Sequence, residues 1–300
     1  MTNELTNHKN SYYEFLSANQ NIKGIFIISH GMAEHIQRYD WLISKLNNDG
    51  YHVIGKDHRG HGINILNGDT RGFFADNDGW SLVTEDLRAV IEKSKALYPD
   101  LKHFLFAHSM GSWVALSLFN KKLDIDGMII SGSSKVPKFN IYLQKLVLKI
   151  EIIRNGPKAE SSLLDNLTIR TFNKSFAPNR TPNDWISSDN VNVDNYTEDP
   201  LCGYKVTNSL WQDLSNGLLT IFNKKYYCKD NQNIPITILS GEFDAVSSNG
   251  LMAMKLYKFL SHLFINISFR LIDNARHEIF SDLNKDSSYD VLQDFIKKIK

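Results

Sequence analysis

The chain reads as an α/β fold, with a mostly parallel central sheet flanked by helices and interrupted by an inserted helical subdomain. Two observations predict it. Short apolar runs of the kind that form strands buried on both faces alternate with segments of helical periodicity, and strand then helix, repeated, implies a parallel sheet with both faces covered. The alternation then fails between about residues 135 and 214, where Asn, Asp, Ser and Pro surround two or three apolar helical patches.

Strands are predicted in order at GIFIIS (24–29), YHVIGK (51–56), HFLFA (103–107), GMIIS (127–131), PITILS (235–240) and INISFRLI (265–272). Helices are predicted at 39–49, at 80–97 with Leu82, Val83, Leu87, Val90 and Ile91 on one stripe, and at 109–120, 251–260 and 289–299. The expected division is 1–134 for the first part of the core, 135–214 for the insertion and 215–300 for the second part. In the insertion, the patch 141–154 carries Ile141, Tyr142, Leu143, Leu146, Val147, Leu148, Ile150, Ile152 and Ile153. That is more apolar surface than a one-sided helix needs, so this patch is expected to bury two faces or to line something apolar.

Composition narrows the function classes. With 300 residues, 42% hydrophobic and 22% charged, the chain is globular; Lys+Arg 34 against Asp+Glu 33 leaves +1, so nucleic acid is not an expected partner. Cys202 and Cys228 are too few for a disulfide scaffold or a thiolate zinc site. No apolar run reaches the roughly 18 residues of a membrane span, and the start MTNELTNHKN has no signal-peptide pattern. A cytoplasmic protein is expected.

The strongest chemical signal is HFLFAHSMGSWVALSLFN. A strand pattern ends in Ala107, His108, Ser109, Met110 and Gly111, and a helical pattern starts at once, the context of a nucleophile elbow. A serine at a tight strand-to-helix turn also occurs by chance, and the flanking elements argue against that reading. Ala107 and Gly111 supply the small neighbours that a strained apex requires.

A serine hydroxyl needs a base, an acid that orients the base, and donors for the oxyanion. In chain order Ser, acid, His, the candidates are Asp244, four residues after Ser240, and His277, five after Ile272. Asp273 is a rival acid, read as a turn residue at the end of its strand; taken alone, His277 would be an ordinary loop histidine. His30, His58, His61 and His108 precede the acid in the chain. The oxyanion donors expected are the backbone N–H groups of Met110 and Met32, the second in the loop HGMAEH (30–35). No metal or cofactor is expected: the HxxH of His58 and His61 lacks a third ligand and the HExxH helix, and no P-loop or GxGxxG occurs.

With HGMAEH, DHRGHG, AHSMGS, the Asp244 loop and the His277 loop in place, the sequence resembles the monoacylglycerol lipase and lysophospholipase branch of the α/β-hydrolase superfamily. The resemblance spans nearly the whole chain and is weakest in the insertion, which in that family is a cap. It implies hydrolysis of a single-chain lipid ester through Ser109, His277 and Asp244. It also implies that Glu34 and Arg38 lie near the polar end of the substrate cavity, although a buried ion pair bracing the loop is the plainer reading. Two departures are Ala107 at the first elbow glycine, and Ile63 and Asn64 after RGHG.

Leu146 in the patch 141–154 is expected to touch the acyl chain, and the cap to make peripheral contact with a membrane; the bland alternative is that the patch only joins cap to core. A short-chain carboxylesterase, an aminopeptidase-like hydrolase and a non-catalytic ligand-binding protein remain alternatives.

Overall fold

The computed structural model describes residues 12–299. Seven strands form one sheet in the order β1-β3-β2-β4-β5-β6-β7: β1 Tyr13–Phe15, β2 Gly24–Ser29, β3 Tyr51–Gly55, β4 His103–His108, β5 Gly127–Ser131, β6 Ile236–Gly241 and β7 Ile267–Ile272. Only β1 is antiparallel, pairing with β3 at one edge. The other pairs are parallel, as their helical crossovers require.

Every residue of β2, β3, β4, β5 and β6 is buried. Successive strand side chains point to opposite faces, so these uninterrupted apolar runs feed two cores. Ile25, Ile27, Leu105, Met128 and Ile130 join one core; Phe26, Ile28, Phe104, Phe106 and Ile129 join the other. The helices are α1 Asp40–Asn48, α2 Ile63–Leu66, α3 Gly79–Leu97, α4 Met110–Ser117, α5 Lys138–Asn155, α6 Ser162–Leu167, α7 Ile169–Lys174, α8 Asn190–Glu198, α9 Asn208–Ile221, α10 Leu251–Leu260 and α11 Lys285–Lys297. Residues of α3, α4, α9 and α10 build the first core, and residues of α1 and α11 the second. Fully burying one Leu, Ile or Phe is worth about 1.5–3 kcal/mol, so each of these strand residues contributes at that level.

Three expectations need correction. In α3, Val83, Leu87, Val90 and Ile91 are buried, but Leu82 is 37% exposed, because at about 100° per residue it falls outside their stripe. The last helix begins at Lys285, four residues before the apolar pattern that marks it. In α5 only Ile141 and Leu148 are buried, so the helix covers one face, not two. Between β5 and β6, helices α5 to α8 form the inserted cap, and α9 lies against α3, α4 and α5, running unbroken through residue 214. Thr207 caps α9, its hydroxyl accepting from the Leu210 N–H at 3.2 Å.

Candidate active site

β4 delivers the chain into a turn at Ser109, whose φ of +49° and ψ of −123° lie outside the allowed regions for a residue with a side chain. Strain of this kind, about 1–3 kcal/mol, persists only where surrounding structure enforces it. Here the Ser109 N–H donates to the Ser131 carbonyl at 2.9 Å. Gly111 allows the close approach of β2: a Cβ there would lie 2.3 Å from the carbonyl oxygens of both Ser29 and His30. Ala107, by contrast, is a regular β4 residue paired with Ser29 and Ile130, so its methyl packs without penalty.

Three side chains far apart in the sequence meet at this turn. His277 Nε2 lies 3.0 Å from Ser109 Oγ, and His277 Nδ1 lies 3.0 Å from Asp244 Oδ1. Asp244, just past β6, is fully buried, and its Oδ1 also accepts the Val246 N–H at 2.9 Å, which fixes the carboxylate. Burial works against a charged imidazole at His277. The charge and hydrogen bond of Asp244, with Glu278 and Glu34 beyond, outweigh it and hold His277 above the ordinary histidine value. Asp273 is exposed, and its carbonyl accepts from Asn284 Nδ2 at 2.8 Å, as suits a turn residue.

The remaining histidines of the motif loops brace the site. The rings of His30 and His58 pack with centroids 4.3 Å apart at an angle of 47°, and the His58 N–H donates to His30 Nε2 at 2.9 Å. Burial lowers His58 to about 3 and His61 to about 4, so both are neutral above mild acidity. Asp57 accepts from the backbone N–H groups of Ile36 at 2.9 Å and Ile63 at 2.8 Å, joining the two motif loops.

Glu34 and Arg38 lie beside the site. Arg38 donates to Glu278 at 2.5 Å and to Asn192 of α8 at 3.1 Å, and its guanidinium stands 3.5 Å from Glu34. Glu34 accepts from the Gly31 N–H and, at 2.8 Å, from the Tyr39 hydroxyl. This cluster ties the HGMAEH loop, the residue after His277 and the cap together. Desolvation, then the nearby Glu278 charge, raises Glu34 to about 7.

Beneath the cap opens a cavity of about 340 Å³, lined at its base by Met32, Ala33, Ser109 and Met110. Trp113, Trp185, Trp211, Leu214 and Leu218 supply apolar wall. As the first residue of α4, Met110 has an N–H with no intrahelical acceptor, and Ala33 in the facing loop takes a left-handed φ of +54°. The sequence reading did not single out Trp185, whose ring lies 5.0 Å from that of His277; a lone Trp in an irregular insertion carries no periodic signal. It placed Leu146 at the acyl chain, but Leu146 is 59% exposed and outside the cavity lining, because it sits on the outer face of α5. Glu34 and Arg38 are likewise not among the lining residues.

A strained serine on a strand-to-helix turn, an imidazole and a buried carboxylate beneath an apolar cavity can activate a hydroxyl for acyl transfer. Fold and site together define an α/β-hydrolase. The chain belongs to the family described as serine aminopeptidase, S33, whose profile matches residues 20–284. It is 24% identical to a monoglyceride lipase homolog of Monkeypox virus over 88% of this chain and 84% of that protein. It is also 24% identical to the phospholipase YtpA of Bacillus subtilis, over 90% and 94%. Among solved structures, a thermostable carboxyl esterase from Bacillus coagulans superposes with a TM-score of 0.85 at 25% identity, covering 96% of this chain and 93% of that one.

Proposed function

We propose that the protein is a serine ester hydrolase whose substrate is a single-chain neutral lipid ester of the monoacylglycerol kind. The observation that carries this is the hydrogen-bonded chain from Asp244 through His277 to Ser109, opening into a cavity walled by aromatic and aliphatic side chains. In this reading Ser109 Oγ attacks the ester carbonyl while His277 Nε2 takes its proton. The Met32 and Met110 N–H groups receive the oxyanion, and His277 returns the proton to the departing alcohol. Water, activated by the same imidazole, then releases the fatty acid. Asp244 holds the proton on Nδ1 and stabilises the imidazolium that forms.

Charge around the cavity separates the candidate head groups. Among the described residues its one charged lining residue is Asp165, which is paired with Arg170 at 3.1 Å. Phosphate recognition calls for Arg or Lys, so a glycerol head group fits the lining better than a phosphodiester. The named similarities to a monoglyceride lipase homolog and a carboxyl esterase support ester chemistry, and the one to a phospholipase sets the main competitor. The test is a substrate panel of monoacylglycerols of several chain lengths, lysophosphatidylcholine, acetyl and octanoyl p-nitrophenyl esters, and aminoacyl anilides. The expected order puts monoacylglycerol first and longer acyl chains above acetyl. Preference for acetyl, for the lysophospholipid or for an anilide rejects the reading.

A further inference from the structure

A second group of polar side chains lies where the end of α8 meets the HGMAEH loop. His35 Nε2 stands 2.8 Å from Asp199 Oδ2, across 164 residues of sequence, and ligand atoms of His35, Asp199 and Cys202 all lie within 4.8 Å of one another. His35 and Cys202 are buried, whereas the Asp199 side chain is 28% exposed, so the group opens to solvent on one side. The backbone holds two of the three in place. Asp199 follows the last residue of α8, and its Oδ1 accepts the Leu201 N–H at 2.8 Å, which leaves Oδ2 turned to His35. The Cys202 N–H donates to the Asp199 carbonyl at 3.0 Å. Burial works against charge at Asp199, but the bonds from His35 and Leu201 hold its carboxyl below the usual range. The negative pole of α8 ends here, and the nearby Arg38 is already paired with Glu34 and Glu278, so the surroundings favour an added cation.

We propose that His35, Asp199 and Cys202 bind a zinc ion, which clamps the end of α8 to the HGMAEH loop. An imidazole nitrogen, a carboxylate oxygen and a thiolate are donors that zinc takes, and three protein ligands leave a fourth position for water. At bond lengths of about 2.0–2.3 Å, tetrahedral zinc holds its donors about 3.3–3.6 Å apart, so the His35–Asp199 pair has only to open by about half an ångström. Cys202 gives its thiol proton to water as the ion binds. No spacing motif announces the site, because the imidazole comes from the core and the other two ligands from the cap. Ala33, in the same loop as His35, already accepts the Gly203 N–H at 2.9 Å and the Tyr196 hydroxyl at 3.3 Å. The ion therefore braces the contact between the cap and the loop that carries Met32. Binding is measured without substrate, so its failure would leave the hydrolytic reading standing.

The experiment titrates the reduced, metal-stripped full chain with cobalt(II), whose bond to a thiolate gives near-ultraviolet charge-transfer absorption, and then displaces the cobalt with zinc. The expected result is one cobalt per chain with that absorption, full displacement by zinc, and a melting temperature that rises with zinc concentration. Cys202→Ser should abolish the charge-transfer band, and Asp199→Asn should weaken zinc binding at least about tenfold. Cys228→Ser, which alters the other free cysteine, should leave both unchanged. Metal-free melts of each variant check folding, and Asp199→Asn, at a partly exposed position, carries the test if Cys202→Ser does not fold. A wild type without the band, a band that survives in Cys202→Ser or vanishes in Cys228→Ser, or full zinc affinity in Asp199→Asn overturns the proposal.

Discussion

Replacing Asp244 by Asn changes almost no volume and removes one charge from a fully buried position. The carboxylate now takes the His277 Nδ1 proton at 3.0 Å and the Val246 N–H at 2.9 Å through the same oxygen. Because one oxygen takes both bonds, an amide with its oxygen there keeps both but lacks the charge that stabilises the imidazolium, and one turned to put its NH2 there gives up the Val246 bond and donates to Nδ1. That moves the imidazole proton onto Nε2, against Ser109 Oγ, where a base is required. The expected loss in kcat at neutral pH is about 10⁴-fold, equivalent to about 5.5 kcal/mol of barrier. The acid limb of the pH profile should move as well. In the wild type, kcat/KM should rise as His277 loses its proton, with a midpoint above the ordinary value near 6.5 because Asp244 raises the imidazole pKa against the opposing effect of burial. In Asp244→Asn the residual activity should have its midpoint displaced to lower pH. Stopped-flow or steady-state assays with an octanoyl p-nitrophenyl ester across pH 4 to 9, with thermal melts to show folding, measure both. A variant within tenfold of wild type, or an unmoved acid limb, would refute the assigned roles.

Gly111→Ala should lower stability by about 1–3 kcal/mol, seen as a fall in thermal midpoint, since its Cβ would meet two backbone carbonyl oxygens at 2.3 Å; an unchanged melt would show that β2 is not held against the elbow. Met32→Pro removes the N–H proposed to receive the oxyanion and should cost about 10²–10³-fold in kcat, whereas Met32→Ala keeps the N–H and should cost far less; equal losses would exclude the backbone role. Glu34→Gln tests the buried cluster through pH. The folded chain holds the Glu34 proton to about 7, above the unfolded value near 4.5, so the native state binds more protons between these limits and stability falls as pH rises through them. The variant should lose that slope in urea titrations at a series of pH values, and a retained slope would place its origin elsewhere.

The parallel core was legible because its strands are uninterrupted apolar runs: β2 and β5 occupy the segments that their patterns mark, GIFIIS and GMIIS. β1 was not legible, being three residues of mixed polarity held by antiparallel pairing to β3. The positions of Ser109, Asp244 and His277 followed from elements they adjoin, each at the end of a strand. The cap resisted the same treatment. Counting apolar residues in α5 showed an excess but not its destination, and an outward stripe has the same periodicity as an inward one, which is how Leu146 came to be placed in the cavity. Likewise, Glu34 and Arg38 read equally well as cavity wall or as brace until Glu278 and Asn192, more than 150 residues away, completed their contacts.

The central claim is that Ser109 is the activated nucleophile. Incubating the enzyme with a long-chain fluorophosphonate and mapping the adduct by peptide mass spectrometry measures this directly. The account predicts one adduct per chain, on Ser109, slowed by orders of magnitude in His277→Ala and abolished in Ser109→Ala. A folded wild type that takes no label, or carries it on another residue, would contradict it.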